Sequence, residues 1–363
     1  MNVDAVPNVL IWDVTFACPL RCSHCYTESG RRRPQNLSHE EMLRVADALI
    51  AFRPLQITLC GGEPLTVPRI VEVVERFAAA GVRVFLYTSG WSVPEETVRR
   101  LAGSVSRIVV SVDGATAEVH DRIRGRVGSF DRAMAALALL DAESARRIAA
   151  GESPLRFGID NVVVRSNYHQ LDELCSSVAP RFPHLTDLAF GAVVPTGLAS
   201  RVSYGEHEML GDEQVAALVE EGTRQRLQQA APPSVKVTTT DNFGVQMHPD
   251  YIASHPDFRP MEVEPDGEVR AMPIYEGTVG SLLTEDPFVL WERARSRWHD
   301  PFVVETLRGI RSRTDWAEAV RRIDYRFGSA EVRARIDRRP VFDPTQAPRQ
   351  LALRPVGGGG ARR

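Results

Sequence analysis

Short apolar runs alternate with stretches of helical period along the first half of the chain. Residues 9–16 (VLIWDVTF) are rich in β-branched and aromatic side chains and predict a buried strand. Ser38 with Glu41 three residues on has the form of a capping box, and Met42, Val45, Ala46, Leu49 and Ile50 then repeat at helical spacing. Further strands are predicted at 56–60, 82–87, 107–112, 156–164 and 188–194. Between them, helical faces are marked by Ile70, Val73, Val74 and Phe77, by residues 130–140, and by Leu171, Leu174, Cys175 and Val178. Strands alternating with helices predict a parallel sheet. Six such units predict an α/β fold, a partial (β/α)6 TIM-like barrel with an open side, over residues 8–200. In such barrels function collects on the loops that follow the strands. Cys18 to Cys25, Gly61-Gly62-Glu63-Pro64, Thr88-Ser89-Gly90 and Asp113-Gly114 all follow predicted strands directly.

Past about residue 195 the rhythm changes. Asp212 opens a helix carrying Val215, Leu218 and Val219, and β-prone pieces then mix with turns such as Pro265-Asp266-Gly267. The charged, helical last stretch has Trp298, Trp316 and Phe327 as packing anchors. Residues 201–345 are expected to form an α+β cap over the barrel, and residues 346–363 a disordered tail. The chain has 363 residues, 43% of them hydrophobic, enough for a sizeable core. A formal net charge of -3 gives no bulk drive towards nucleic acid or acidic membranes. The basic runs Arg31-Arg32-Arg33 and Arg338-Arg339 are expected in solvated loops. No apolar stretch reaches a bilayer-spanning length and no signal peptide is evident, so the expected location is the cytoplasm.

Five cysteines are an odd count for a disulfide framework, and three of them cluster. Cys18, Cys22 and Cys25 place three thiols within eight residues. Three readings stand open. Structural zinc wants four ligands, and the local fourth, His24, is cramped between Ser23 and Cys25. The thiols could be inert and buried. Or they could hold three corners of a 4Fe–4S cluster and leave the fourth iron open to a ligand. Cys60, ending the second strand, and Cys175, on an apolar helix face, are expected to be packing residues.

The spacing C-x3-C-x2-C after a first strand resembles the radical S-adenosylmethionine (SAM) superfamily. Gly61-Gly62-Glu63-Pro64 resembles its second motif and Thr88-Ser89-Gly90 its third-strand motif. Ser111-Val112-Asp113-Gly114, the segment from His120 to Gly125, and Gly128-Ser129-Phe130 resemble the fourth-strand region of the subgroup that includes peptide maturases. Asn167-Tyr168 resembles the segment after the fifth strand. The resemblance covers about residues 9–195. It implies one 4Fe–4S cluster on Cys18, Cys22 and Cys25, whose open iron binds SAM through its amino and carboxylate groups. One electron then splits the sulfonium, and the resulting 5′-deoxyadenosyl radical abstracts a hydrogen atom. Gly61, Gly62, Glu63 and Pro64 are expected to receive the cofactor's ammonium. His24 is placed to adjoin the adenine, and Ser89, Ser111 and Arg124 to hold ribose or carboxylate. Arg21 and His24 are candidates to tune the cluster potential.

From Val263 on, the chain resembles the auxiliary-cluster (SPASM/twitch) domain of peptide-modifying members, yet the region has no cysteine, and Met272 sits where one is usual. A single cluster and a degenerate capping scaffold are therefore expected. About ten residues precede the first strand, too few for a fused leader-peptide-binding domain, which tilts the expected substrate towards a small natural-product intermediate of sugar, nucleoside or aminoglycoside type. The reaction would be epimerisation, dehydrogenation, decarboxylation or rearrangement. The alternative is modification of a ribosomal peptide, and a second alternative is a non-catalytic iron–sulfur protein. An electron donor such as a flavodoxin or ferredoxin is the implied partner.

Overall fold

The computed structural model describes residues 6–33 and 36–349. Six parallel strands form its centre: β1 (Val9–Asp13), β2 (Gln56–Cys60), β3 (Arg83–Thr88), β4 (Arg107–Ser111), β5 (Phe157–Val163) and β6 (Asp187–Ala192). They pair in chain order, β1 to β6. The partial TIM-like barrel is thus the fold, with its strands where the apolar runs predicted them. Two more parallel strands extend it. β7 (Lys236–Thr240) lies beside β6, and β8 (Pro260–Val263) lies beside β1. β9 (Glu268–Arg270) and β10 (Thr278–Ser281) continue past β8 as antiparallel strands. The region after residue 200 therefore builds both edges of the sheet, besides supplying helices.

Alternation along each strand sets what faces where. Leu10 and Trp12 of β1, Ile57 and Leu59 of β2, Val84 and Leu86 of β3, and Ile108 and Val110 of β4 are buried in the outer core. They pack with Met42, Val45, Ala46 and Leu49 of α1 (His39–Ile50) and with Ile70, Val73, Val74 and Phe77 of α2 (Ile70–Ala79). The predicted capping box starts α1: Ser38 N–H donates to Glu41 and the Ser38 hydroxyl accepts from Glu41 N–H. The opposite strand faces turn inward and line a cavity with Val9, Ile11, Thr58, Cys60, Tyr87, Ser111, Asp160 and Val162. Cys175 is fully buried in the core, as its helix face predicted. Cys60 is not: it faces the cavity, because the residues before and after a buried strand position point the other way.

Residues 346–349, the start of the expected tail, are described, and Arg349 pairs with the backbone at Arg126 and Val127. The remainder, from residue 350, lies outside the described residues. Among the described residues no helix is long and apolar enough to cross a membrane.

Candidate active site

The cavity has a volume of about 480 Å³ and opens at the carboxyl ends of the strands. Cys18, Cys22 and Cys25 all line it, together with His24, Gly61, Gly62, Ser89, Ser111 and Arg124. Nine of the predicted site residues therefore meet in one place, although they come from the loops after β1, β2 and β3, the end of β4 and the helix Ala117–Arg124.

The loop after β1 is held from outside by a collar of guanidinium groups. Arg21 donates to the carbonyls of Cys18 and Leu20 at 3.1 and 2.8 Å. Arg126 donates to Pro19, and Arg201 to Ser23 at 2.9 Å. Arg31 donates to the carbonyls of Arg21 and Cys22 at 2.9 and 3.4 Å. Every carbonyl from Cys18 to Ser23 thus accepts from an arginine. Arg31 and Arg32, expected in a solvated run, are structural: Arg32 stacks 3.6 Å above the Phe16 ring and reaches Glu264. Arg339, also expected in solvent, is buried against Glu28. The reason is the same in each case, since a loop without regular structure leaves carbonyls and carboxylates that need donors.

Behind the cysteines, Asp113 organises the charges. It is fully buried at the end of β4. Its Oδ2 lies 2.9 Å from His24 Nε2 and 2.6 Å from Arg124 Nε, and its Oδ1 accepts from Val162 N–H at 3.0 Å. Burial alone would raise its pKa, but the Arg124 guanidinium, with His24, holds it well below the usual carboxylate range. Arg124 in turn places Nη1 3.8 Å from Cys22 Sγ. His24 is thus tethered by its Nε2 to a carboxylate, which fixes its ring beside the cysteines.

The second motif divides its labour. Gly61 and Gly62 line the cavity, but Glu63 and Pro64 do not. Glu63 is fully buried and its carboxylate accepts from Thr88 Oγ1 at 2.7 Å, Ser89 N–H at 2.8 Å, the Ser89 hydroxyl, and Leu65 N–H at 3.2 Å. Its acceptor sites are spent on the third-strand loop, so it orients Ser89 where it was expected to meet a ligand. Pro64 begins the short 3-10 turn Pro64–Thr66 that carries this geometry. The glycines are required by the cysteine loop itself. Gly62 N–H donates to Thr15 at 2.6 Å, and a Cβ on Gly62 would sit 2.1 Å from the Ala17 carbonyl oxygen. Gly61 has φ +111°, and its Cβ would sit 2.6 Å from the Thr15 oxygen.

The three thiols fit an iron–sulfur cluster better than one metal ion. The one local candidate for a fourth zinc ligand, His24, has its Nε2 engaged by Asp113, so the zinc reading lacks its tetrahedron. Burial raises the Cys18 thiol, and it pushes Cys22 up to about 11 against the pull of Arg124. Binding as thiolates then needs positive charge inside the cavity, which an iron core carries.

A family model for the radical SAM superfamily matches residues 12–146. Over those residues the chain thus matches a radical SAM domain. Among curated proteins, mycofactocin maturase MftC of Mycobacterium tuberculosis is 37% identical over 177 residues, 48% of this chain and 42% of that protein. AdoMet-dependent heme synthase of Methanosarcina barkeri is 38% identical over 136 residues, 37% of this chain and 39% of that protein. The matched part thus spans less than half the length of either relative. Among solved structures, Streptococcus suis SuiB bound to S-adenosylmethionine has TM-score 0.61 at 16% identity, covering 85% of this chain and 69% of that one. SuiB bound to the precursor peptide SuiA has TM-score 0.59 at 15% identity, covering 85% and 68%. A radical SAM domain implies SAM and an iron–sulfur cluster as cofactors.

Several residues around this cavity escaped the sequence reading. Tyr26, next to Cys25, donates from its hydroxyl to Asp13 Oδ1 at 2.8 Å, and Cys60 Sγ lies 3.4 Å from the same oxygen. Glu262 of β8 lines the cavity, accepts from Ile274 N–H at 2.7 Å and lies 3.3 Å from Arg270. Burial pushes it up to about 8, against the attraction of Arg270. Tyr26 carried a signal in its position within the cysteine segment. Glu262 carried none, since an acid in a short Pro-containing piece reads as loop.

Proposed function

We propose that this chain is a radical SAM enzyme that modifies a peptide substrate. The observation that carries the reading is the meeting of Cys18, Cys22 and Cys25 with Gly61, Gly62, Ser111 and Arg124 on the wall of one cavity. Bound there, a 4Fe–4S cluster with SAM supplies one-electron cleavage of the sulfonium and, through it, hydrogen abstraction from an unactivated C–H bond. The chain's part is to hold and orient. Cys18, Cys22 and Cys25 supply the thiolates. Arg124 keeps a positive charge beside Cys22, and Asp113 keeps Arg124 and His24 in place. The Gly61-Gly62 backbone lets a ligand approach closely, and the Ser111 hydroxyl is available to a ribose or carboxylate. Val9, Ile11, Val162 and Ile274 exclude water from the reacting centre.

The expected order of substrates reverses. The small natural product was the first expectation and the peptide the alternative. MftC is named a maturase and SuiB is solved with a precursor peptide, and both support the peptide. The heme synthase relative supports a second reading, a porphyrin substrate. Anaerobic reconstitution tests the reaction. We expect iron–sulfide charge-transfer absorbance, about four irons per chain, and 5′-deoxyadenosine on adding reductant and SAM. Absence of 5′-deoxyadenosine from protein with a full cluster rejects the enzyme. Clearly more than four irons rejects the single cluster. Cys22→Ala should lose the absorbance while far-UV circular dichroism stays unchanged. Deuterium passing into 5′-deoxyadenosine from labelled peptides, and not from porphyrins, supports the peptide; the reverse selects the second reading.

A further inference from the structure

Four of the acids around the cavity each accept at least one hydrogen bond. Glu63 is saturated by Thr88, Ser89 and Leu65, and Asp113 is paired with Arg124 and His24. Asp13 accepts from Tyr26, and Glu262 is engaged by Ile274 N–H and Arg270. Asp160 differs. It lines the cavity from β5, directly beside Ser111 of β4, and among the described residues its carboxylate makes no hydrogen bond and no ion pair. Val162, one inward position along β5, shares the cavity wall with it, as do Tyr87, Ile11 and Ile274, while Arg124, whose charge also reaches it, is paired with Asp113. Burial, with the negative charge of Asp113 adding to it, pushes its pKa up to about 6. Asp160 is half-buried, so its carboxylate is only partly solvated and has no fixed partner, and a ligand cation in the cavity would stabilise it.

We propose, resting on the reading of this cavity as the reaction site, that Asp160 recognises the substrate through a cation, an ammonium or guanidinium on an aliphatic stem. A peptide substrate then offers a lysine- or arginine-type side chain, its hydrocarbon lying along Val162 and Ile274 and its charge against Asp160. A small set of placed polar groups in an otherwise apolar pocket is how such sites fix orientation. SAM is also a cation, so the experiment separates the two sources.

The probes are n-pentylammonium and n-pentylguanidinium, both cations, and neutral 1-pentanol, which share one stem, with SAM as a fourth ligand. Binding to the full-length reconstituted protein is measured by equilibrium dialysis under anaerobic conditions at pH 7.5. We expect the two cations to bind about tenfold tighter than 1-pentanol. Asp160→Asn should bring all three probes within about twofold of each other while SAM affinity holds to a similar factor. Asp160→Ser serves as a second removal of the charge. Equal binding of cations and alcohol to the unaltered protein overturns the proposal without any variant. A preference that survives Asp160→Asn overturns it as well. A large loss of SAM affinity with the cation preference intact assigns the carboxylate to the cofactor. Turnover plays no part in the readout, so a failure to form 5′-deoxyadenosine would sink the proposed reaction and leave this result standing.

Discussion

His120 is a residue whose environment fixes its charge state. It is fully buried behind Asp113, its Nδ1 accepts from Asp113 N–H at 3.1 Å, and among the described residues Nε2 has no hydrogen-bond partner. Burial, reinforced by the Arg124 charge, pushes its pKa from 6.5 down to about 4. The unfolded chain therefore takes up a proton between those values that the folded chain refuses. Stability from this residue is complete above about pH 6.5 and is lost as pH falls towards 4, amounting to about 3 kcal/mol in all. Urea denaturation of the cluster-free protein at pH 7 and pH 5 measures it. The His120→Asn variant, whose Oδ1 can replace Nδ1 as acceptor, should show a flatter dependence over that range. An unchanged slope removes His120 as the cause. At this scale the sequence was informative where chemistry is local. Cys18, Cys22 and Cys25 stand within eight residues, and Gly61 and Gly62 are adjacent in the chain. Asp113, Asp160 and Glu262 owe their roles to which face of a strand they occupy, and a one-residue change of register inverts that face. No spacing rule fixes such a register from one sequence.

Among the elements, the cysteine loop and the Gly61-Gly62 turn act as one piece. Thr15 and Ala17 carbonyls accept from Gly62 and Glu63 N–H, and Gly30 N–H donates to Phe16. The glycines read from sequence as places for a ligand to approach are also places where one loop lies on another. A methyl group on Gly62, 2.1 Å from backbone oxygen, cannot be absorbed by a side-chain rotation. Gly62→Ala should cost about 1–3 kcal/mol and expose the thiols. Thermal denaturation reads the first effect, and the rate of alkylation of the cluster-free protein reads the second. Unchanged stability with unchanged alkylation contradicts the packing. The arginine collar was hidden from sequence for a related reason. Arg31, Arg126 and Arg201 are far apart in the chain, and a charged residue at a loop position looks the same whether it meets water or a carbonyl.

Across the whole molecule, β1 to β6 were legible because buried parallel strands are dense in β-branched and aromatic residues and spaced by helices. β8 was not, since Pro-Met-Glu-Val carries a proline at its first position and an acid at its third. Its strand character comes from pairing with β1, a contact across about 250 residues. That contact brings the late part of the chain back to the cysteine loop, and the closure is ionic. Arg335 and Arg339, at and just beyond the end of the helix Ala330–Asp337, reach Glu28 Oε1 at 3.1 and 2.8 Å. Arg335 also pairs with Glu276, and Arg339 donates to the Ser200 hydroxyl at 3.1 Å. Glu28 is 4% exposed, so its charge depends on these partners. Removing one member of a buried pair leaves the other uncompensated, at a cost of about 3–5 kcal/mol, whereas removing both charges costs much less. Arg339→Met should therefore lower the denaturation midpoint strongly, softened only by what Arg335 still supplies. Glu28→Gln together with Arg339→Met should recover at least half of the loss. Additive losses in this double-mutant cycle would mean that the pair is not coupled, and that the late helix is held to the cysteine loop by its apolar contacts alone.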